Sequence, residues 1–301
     1  MPNFNNQAYE AMLQDLLNDA FYLVDRSLRG KASTIRQYAE IVVRKLLDMP
    51  DGQRLNLGSP TTKKSLVEKS NNDHFLISSV EMINAVGSKF THTEELSSAS
   101  EQDVHEMVLA LFDLYAYLFI DYFRRHAFGE NECITSAFSI LPPTVRYLSL
   151  SVLYSQDPAN LILIDKLSLA TLKAFDEEAA LAWLDERKEQ LSALPSISEK
   201  GARDMVESFG HAIAEKLVES APSMYELCAK RVRAVAKTID QHGPLYYDFE
   251  SAIELYRKVG FVEGESEGVK EFNSLMEFVY MGRRPRPGDV KNNPGDYLTI
   301  E

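Results

Sequence analysis

The chain has 301 residues, of which 45% are hydrophobic and 26% charged; this is the balance of a folded globular protein and excludes extensive disorder. Its 45 acidic and 32 basic residues leave a net charge of −13. That opposes broad, non-specific binding to nucleic acid, because phosphate contacts depend on Lys and Arg displacing counterions, but it leaves room for a small basic site on an acidic body. The two cysteines, Cys133 and Cys228, exclude a disulfide framework and point to a reducing compartment.

In chain order, residues 7–28 are amphipathic through Leu13, Leu16, Leu17, Ala20, Leu23 and Val24. The opening Met-Pro-Asn-Phe-Asn-Asn has neither the basic nor the apolar region of a signal peptide, so a cytoplasmic location is expected. Over residues 33–48, Ile35, Ala39, Val42, Val43, Leu46 and Leu47 recur three and four apart and predict a helix with one apolar face. Met49-Pro50-Asp51-Gly52 ends it. Residues 61–69 and 75–90 read as two further helices. A long helix is expected over 100–128, with Val104, Val108, Leu111, Tyr115, Leu118 and Tyr122 in a stripe that Met107, Phe112, Leu114 and Phe119 widen. Ser98 or Ser100 serves as its cap, with Glu101 and Asp103 at its positive end. The width and aromatic content of the stripe suit a bundle centre or an interface with a second copy. Its apolar run also carries His105, Glu106 and Asp113, which argue against a membrane span.

Beyond the breaks at Gly129-Glu130-Asn131 and Leu141-Pro142-Pro143, helices are predicted near 143–155, 160–174, 176–193, 198–220, 223–241, 247–259 and 268–281. Asp176, Glu177 and Glu178 read as an acidic first turn. Gly260 reads as a helix end with Phe261 packing back on it. The expected fold is all-α, a helical bundle over residues 1–128, a helical C-terminal region over 143–281 and a tail over 282–301 that Pro285, Pro287 and Pro294 keep extended.

The run Ile35-Arg36-Gln37-Tyr38-Ala39-Glu40-Ile41-Val42-Val43-Arg44-Lys45-Leu46-Leu47 resembles the opening helix of a prokaryotic helical domain related to the HEPN superfamily, in which an Arg precedes a Glu by four residues. The segment Ile83-Asn84-Ala85-Val86-Gly87-Ser88-Lys89-Phe90-Thr91-His92 resembles that family's Arg-x-x-Gly-Asn-x-x-x-His element, with Asn84 at the Arg position and Ser88 at the Asn position. The resemblance covers about residues 15–128. It implies a homodimer and a role in defence or toxin systems, many of whose HEPN members are metal-independent ribonucleases. There an Arg stabilises charge on the phosphate in flight while a His acts as acid or base. Carried over residue by residue, it marks His92 as the catalytic candidate, Lys89 as a substitute cation lacking the fork of Arg, and Arg36 with Glu40 as an i, i+4 pair.

Other binding candidates are the cluster Arg124, Arg125 and His126 at the end of the long helix, and the face formed by Lys230, Arg233 and Lys237 with Arg231 alongside. Arg283, Arg284, Arg286 and Lys291 form a basic stretch in the tail. No His-Glu-x-x-His, paired Cys-x-x-Cys or Gly-rich phosphate loop occurs in the sequence, so no cofactor or metal is expected. Three readings of function stand side by side: association with an RNA or protein partner, endoribonuclease chemistry at His92 with Lys89 or Arg124, and an acidic structural adaptor or inhibitor.

Overall fold

A computed structural model of the protein describes residues 4–91 and 98–285. Among the described residues it is all-α, with fifteen α-helices and no strand beyond one isolated bridge between Pro195 and Ser223. In chain order the helices are α1 (Asn6–Leu17), α2 (Leu28–Leu46), α3 (Pro60–Ser70), α4 (His74–Thr91), α5 (Glu101–Arg125), α6 (Glu132–Phe138), α7 (Pro143–Gln156) and α8 (Leu161–Ala174). They continue as α9 (Glu177–Asp185), α10 (Lys188–Ser192), α11 (Glu199–Phe209), α12 (His211–Glu219), α13 (Met224–His242), α14 (Phe249–Val259) and α15 (Glu267–Tyr280). No helix among the described residues is long and apolar enough to cross a membrane.

Most helix starts carry the expected chemistry. Ser27, Ser59, Asn160, Asp176, Ser198 and Ser266 each accept a bond from a backbone N–H of the first turn, satisfying a donor the helix itself cannot. Ser100, not Ser98, starts α5, in a reciprocal capping box with Asp103, and Ser223 does the same with Glu226 for α13. After α1 the backbone widens into a π-helical turn over Asn18–Tyr22 and then leaves helical geometry. Leu23 and Val24, expected on the apolar stripe, are therefore exposed, Val24 at 88%. The predicted helix over 198–220 is two helices, because Gly210 adopts φ +78°, a conformation open to glycine and strained for other residues. The stretch over 176–193 likewise divides into α9 and α10, and α6 was not anticipated.

The chain forms two compact units. The first holds α1–α6 together with α14 and α15; the second holds α7–α13. The expected division at residues 128–143 thus separates α6 from α7, but the C-terminal region does not stay together. The physical reason lies in α15, whose Phe272, Leu275, Met276, Phe278, Val279 and Tyr280 are all buried. Phe272 meets Phe119 and Tyr122 of α5 at centroid distances of 6.1 and 5.5 Å, and Phe249 of α14 meets Tyr115 at 5.3 Å.

Helix α5 is the centre of the first unit, with every residue from Leu114 to Ile120 buried. Its stripe is core and not a free interface: Leu111 and Leu118 are 0% and 3% exposed. The core of the second unit gathers Ile164, Leu169, Leu172, Leu184, Leu191, Met224, Cys228 and Val232, and burial raises the Cys228 thiol to a pKa of about 12. Phe261, expected to pack back on Gly260, is 73% exposed; Gly260 is instead pinned by its N–H donating to the Tyr256 carbonyl at 2.7 Å.

Candidate functional site

The residues that the resemblance marks on α2 and α4 come together. Arg36 Nη1 donates to Glu40 Oε1 at 2.9 Å, while Nη2 makes long contacts of 3.3 and 3.4 Å with the side-chain oxygens of Asn56 and Asn84. Ser88 Oγ donates to the same Asn84 oxygen at 3.3 Å. Two glycines make room for this. A Cβ on Gly87 would lie 2.8 Å from Cβ and Cδ of Arg36, and one on Gly58 would lie 3.0 Å from the Asn84 amide nitrogen. The Arg36 side chain is 14% exposed and that of Glu40 24%, so their ion pair is neither free in solvent nor fully desolvated.

Arg44, one turn beyond Glu40, completes the row. Burial pushes the Glu40 carboxyl above its ordinary value, and Arg36 and Arg44 together pull it partly back. Two guanidinium groups therefore bear on one carboxylate along α2, though only Arg36 is hydrogen-bonded to it. Each also keeps a buried nitrogen with no hydrogen-bond partner, Arg36 Nε and Arg44 Nη1. A buried donor without an acceptor costs free energy, and this face of α2 carries excess positive charge in a protein whose net charge is negative. Sequence reasoning paired Arg36 with Glu40 but left out Arg44 and Asn56. The i, i+4, i+8 spacing of Arg36, Glu40 and Arg44 was the signal that could have found the row. Lys89 is exposed on α4, and His92 lies outside the described residues.

The cluster at the end of α5 is engaged within the first unit. Arg124 pairs with Asp73 at 2.6 Å and donates to the Tyr117 hydroxyl at 3.1 Å. Arg125 grips Glu271 through two bonds of 2.8 and 2.7 Å and also pairs with Asp121 at 3.0 Å. His126 stacks on Tyr122 at 4.6 Å, its Nε2 lying 3.6 Å from Glu271. This cluster clamps α5 to α15 and to the turn before α4. Lys230, Arg233 and Lys237 share an exposed face of α13, whereas Arg231 is drawn to Asp165 at 2.7 Å.

Arg283 overturns its expected place in a solvated basic tail. Its side chain is 6% exposed and pairs with Glu250 at 2.8 Å. Its Nη2 donates to the Tyr115 hydroxyl at 2.9 Å, its Nε donates to the Val279 carbonyl, and its guanidinium lies 3.9 Å from the Phe249 ring centre. Tyr22 donates to the same Glu250 oxygen at 2.8 Å. Burial alone would lower the Arg283 pKa, but Tyr115 and Glu250 raise it; the cation stays charged. Arg286 and Lys291 lie outside the described residues.

A second polar group escaped the sequence reading. Lys45 Nζ donates to Ser274 Oγ at 2.7 Å and to Asn6 Oδ1 at 2.9 Å, over the rings of Phe4 and Phe278. Asn6 in turn donates to Glu277 at 2.7 Å. Burial brings the Lys45 pKa down to about 8. Glu277 also borders a cleft of about 400 Å3 lined by Gln7, Glu10, Tyr256 and Arg257 among others. Among the described residues no group of His, Cys, Asp and Glu side chains is arranged to hold a metal ion. Compared with family models, with curated proteins and with solved structures, the chain matches none.

Proposed function

We propose that the protein is a HEPN-like helical protein that works by association, contacting an RNA backbone through the α2–α4 face, in defence- or toxin-type biology. The observation that carries this reading is the row Arg36–Glu40–Arg44, in which two guanidinium groups bear on a single carboxylate that is hydrogen-bonded to Arg36 alone. The row carries one positive charge more than Glu40 balances, and charge-assisted Arg–phosphate bonds are among the stronger polar contacts. The acidic remainder of the surface confines such binding to a few contacts.

The test is fluorescence anisotropy with a short single-stranded RNA across a salt series. Binding is expected at low salt, and Arg36→Met with Arg44→Met is expected to weaken it. Losing two phosphate contacts should flatten the slope of log affinity against log salt by about 1.4, at about 0.7 for each contact to a single strand. Equal binding by the double variant, or none by the parent protein at low salt, would overturn the reading.

One observation favours cleavage as the second reading. Asn84 stands where the family motif has its Arg, and the Arg36 guanidinium lies 3.4 Å from it, a cation delivered to that place from another helix. On this reading, cleavage of the RNA persists in a chelator and disappears in His92→Ala.

A further inference from the structure

Helix α7 enters through Pro142 and Pro143, and no side chain caps its start. Neither proline has an N–H, so the first amide that the helix pairs is that of Arg146, which donates to the Pro142 carbonyl at 3.1 Å. The amides of Thr144 and Val145 have no acceptor from the helix or from a cap, and they carry the positive end of its dipole. An uncapped end alone is no site. Arg146 adds an independent feature. It is 5% exposed, yet its Nε and Nη2 have no hydrogen-bond partner, and among the described residues no carboxylate pairs with it. Its guanidinium carbon lies 5.7 Å from the centre of the Tyr246 ring.

Nε and Nη2 share one edge of the guanidinium, the edge that gives two parallel bonds to an oxyanion. The group cannot shed its charge, because a guanidinium does not deprotonate in proteins, and a buried charge is costly without a partner. A helical side chain leans toward the N-terminus of its own helix. At position 146 that lean carries the fork over the turn of Thr144 and Val145. Two backbone amides and a two-toothed cation therefore converge on one end of α7, with the Thr144 hydroxyl beside them. All are donors.

We propose that this turn binds a phosphate group, with the Arg146 edge on two of its oxygens and the amides of Thr144 and Val145 on a third. The donor count selects the ligand. A carboxylate has two oxygens, which the Arg146 edge engages by itself, whereas a tetrahedral phosphate supplies the further oxygen that the amides require. Thr144 and Tyr246 are half-buried and Tyr246 stands in the loop after α13, so the phosphate enters past a loop side chain. Every member belongs to the second unit, and the site is independent of the α2–α4 face.

Equilibrium dialysis of the full chain against radiolabelled inorganic phosphate, with ionic strength held constant by chloride, reads the site. Saturable binding is expected with a Kd no weaker than about 1 mM. Arg146→Met should weaken it at least about tenfold, the worth of one charge-assisted hydrogen bond. Arg146→Lys should weaken it as well, since lysine keeps the charge and loses the fork. Arg36→Met with Arg44→Met should retain it, which separates this site from the other face. Thermal melts distinguish a ligand site from an arginine that only supports the fold. The melting temperature of the parent should climb with phosphate concentration while that of Arg146→Met stays level; a gap that phosphate leaves constant overturns the proposal. A nucleoside monophosphate added in competition identifies the source: displacement assigns a phosphate ester and its absence assigns free phosphate, and either keeps the site. No saturable binding by the parent, or undiminished binding by Arg146→Met, overturns it.

Discussion

Arg283 shows how much a single side chain carries in the first unit. It ties Glu250 on α14, Tyr115 on α5 and, through Glu250, Tyr22 after α1 into one buried group. Removing the cation leaves a buried carboxylate and a buried phenol without their partner, so Arg283→Met is expected to cost about 3–5 kcal/mol. Denaturant unfolding measures this, and a loss under 1 kcal/mol would sink the argument. The group was not legible in the sequence: its members stand 33 and 168 residues from Arg283, and a cation among prolines looks like a solubilising tail. Lys45 gives a pH test of opposite character. Its folded pKa is about 8 against an ordinary 10.5, so between these values the unfolded chain binds the extra proton and stability rises with pH. The penalty of burying the charge is full below pH 8 and relieved towards 10.5. Subtracting the stability profile of Lys45→Met should isolate a rise over that window, and a flat difference would show that Lys45 titrates as in water.

Among the elements, α5 was the most legible, because stripe, cap and acidic first turn all point to one helix, and burial followed the stripe except at Val104, Val108 and Phe112. The break at Gly210 was not. Met205, Val206, Phe209, Ile213 and Leu217 keep helical spacing straight across it, and a lone glycine inside a periodic pattern is ordinarily only a weak spot. Its corner goes with the bridge that brings Pro195 and Ser223 together at the two ends of the α11–α12 segment, a long-range constraint invisible to periodicity. Gly87 presents the converse case. Gly→Ala in a helix interior normally gains about 1 kcal/mol, but here the added methyl would press on the Arg36 side chain at 2.8 Å and force α2 from α4. Gly87→Ala is accordingly expected to lower the melting temperature, and to do so less in an Arg36→Gly background, where both the Cβ and the Cδ contacts are gone. A stabilised single variant would show that the helices have slack.

At the scale of the whole molecule, what matters is that the first unit is discontinuous in sequence. Read in order, the chain invites a cut between residues 128 and 143, across a short connection that is itself apolar at Phe138, Ile140 and Leu141. In the fold Phe138 meets Phe119 and Phe123 edge to face at 5.7 and 5.2 Å, and Tyr280 of α15 donates to the Ile140 carbonyl at 2.9 Å. The first 141 residues alone therefore lack part of their own core. The seven buried side chains of α15, Val269, Phe272, Leu275, Met276, Phe278, Val279 and Tyr280, at about 1.5–3 kcal/mol each, contribute on the order of 10 kcal/mol. That is as large as the whole stability of a typical domain, about 5–15 kcal/mol. Residues 142–248, by contrast, are continuous and hold the core cluster of the second unit within themselves. A protein of residues 142–248 is expected to melt cooperatively with dispersed amide resonances, whereas residues 1–141 should give a collapsed, dye-binding state without a sharp transition. Supplying residues 249–285 to the latter, fused through a flexible linker, should restore cooperativity. Cooperative melting of residues 1–141 without α14 and α15 would contradict the ledger of buried side chains and show that the first unit is complete before the chain returns to it.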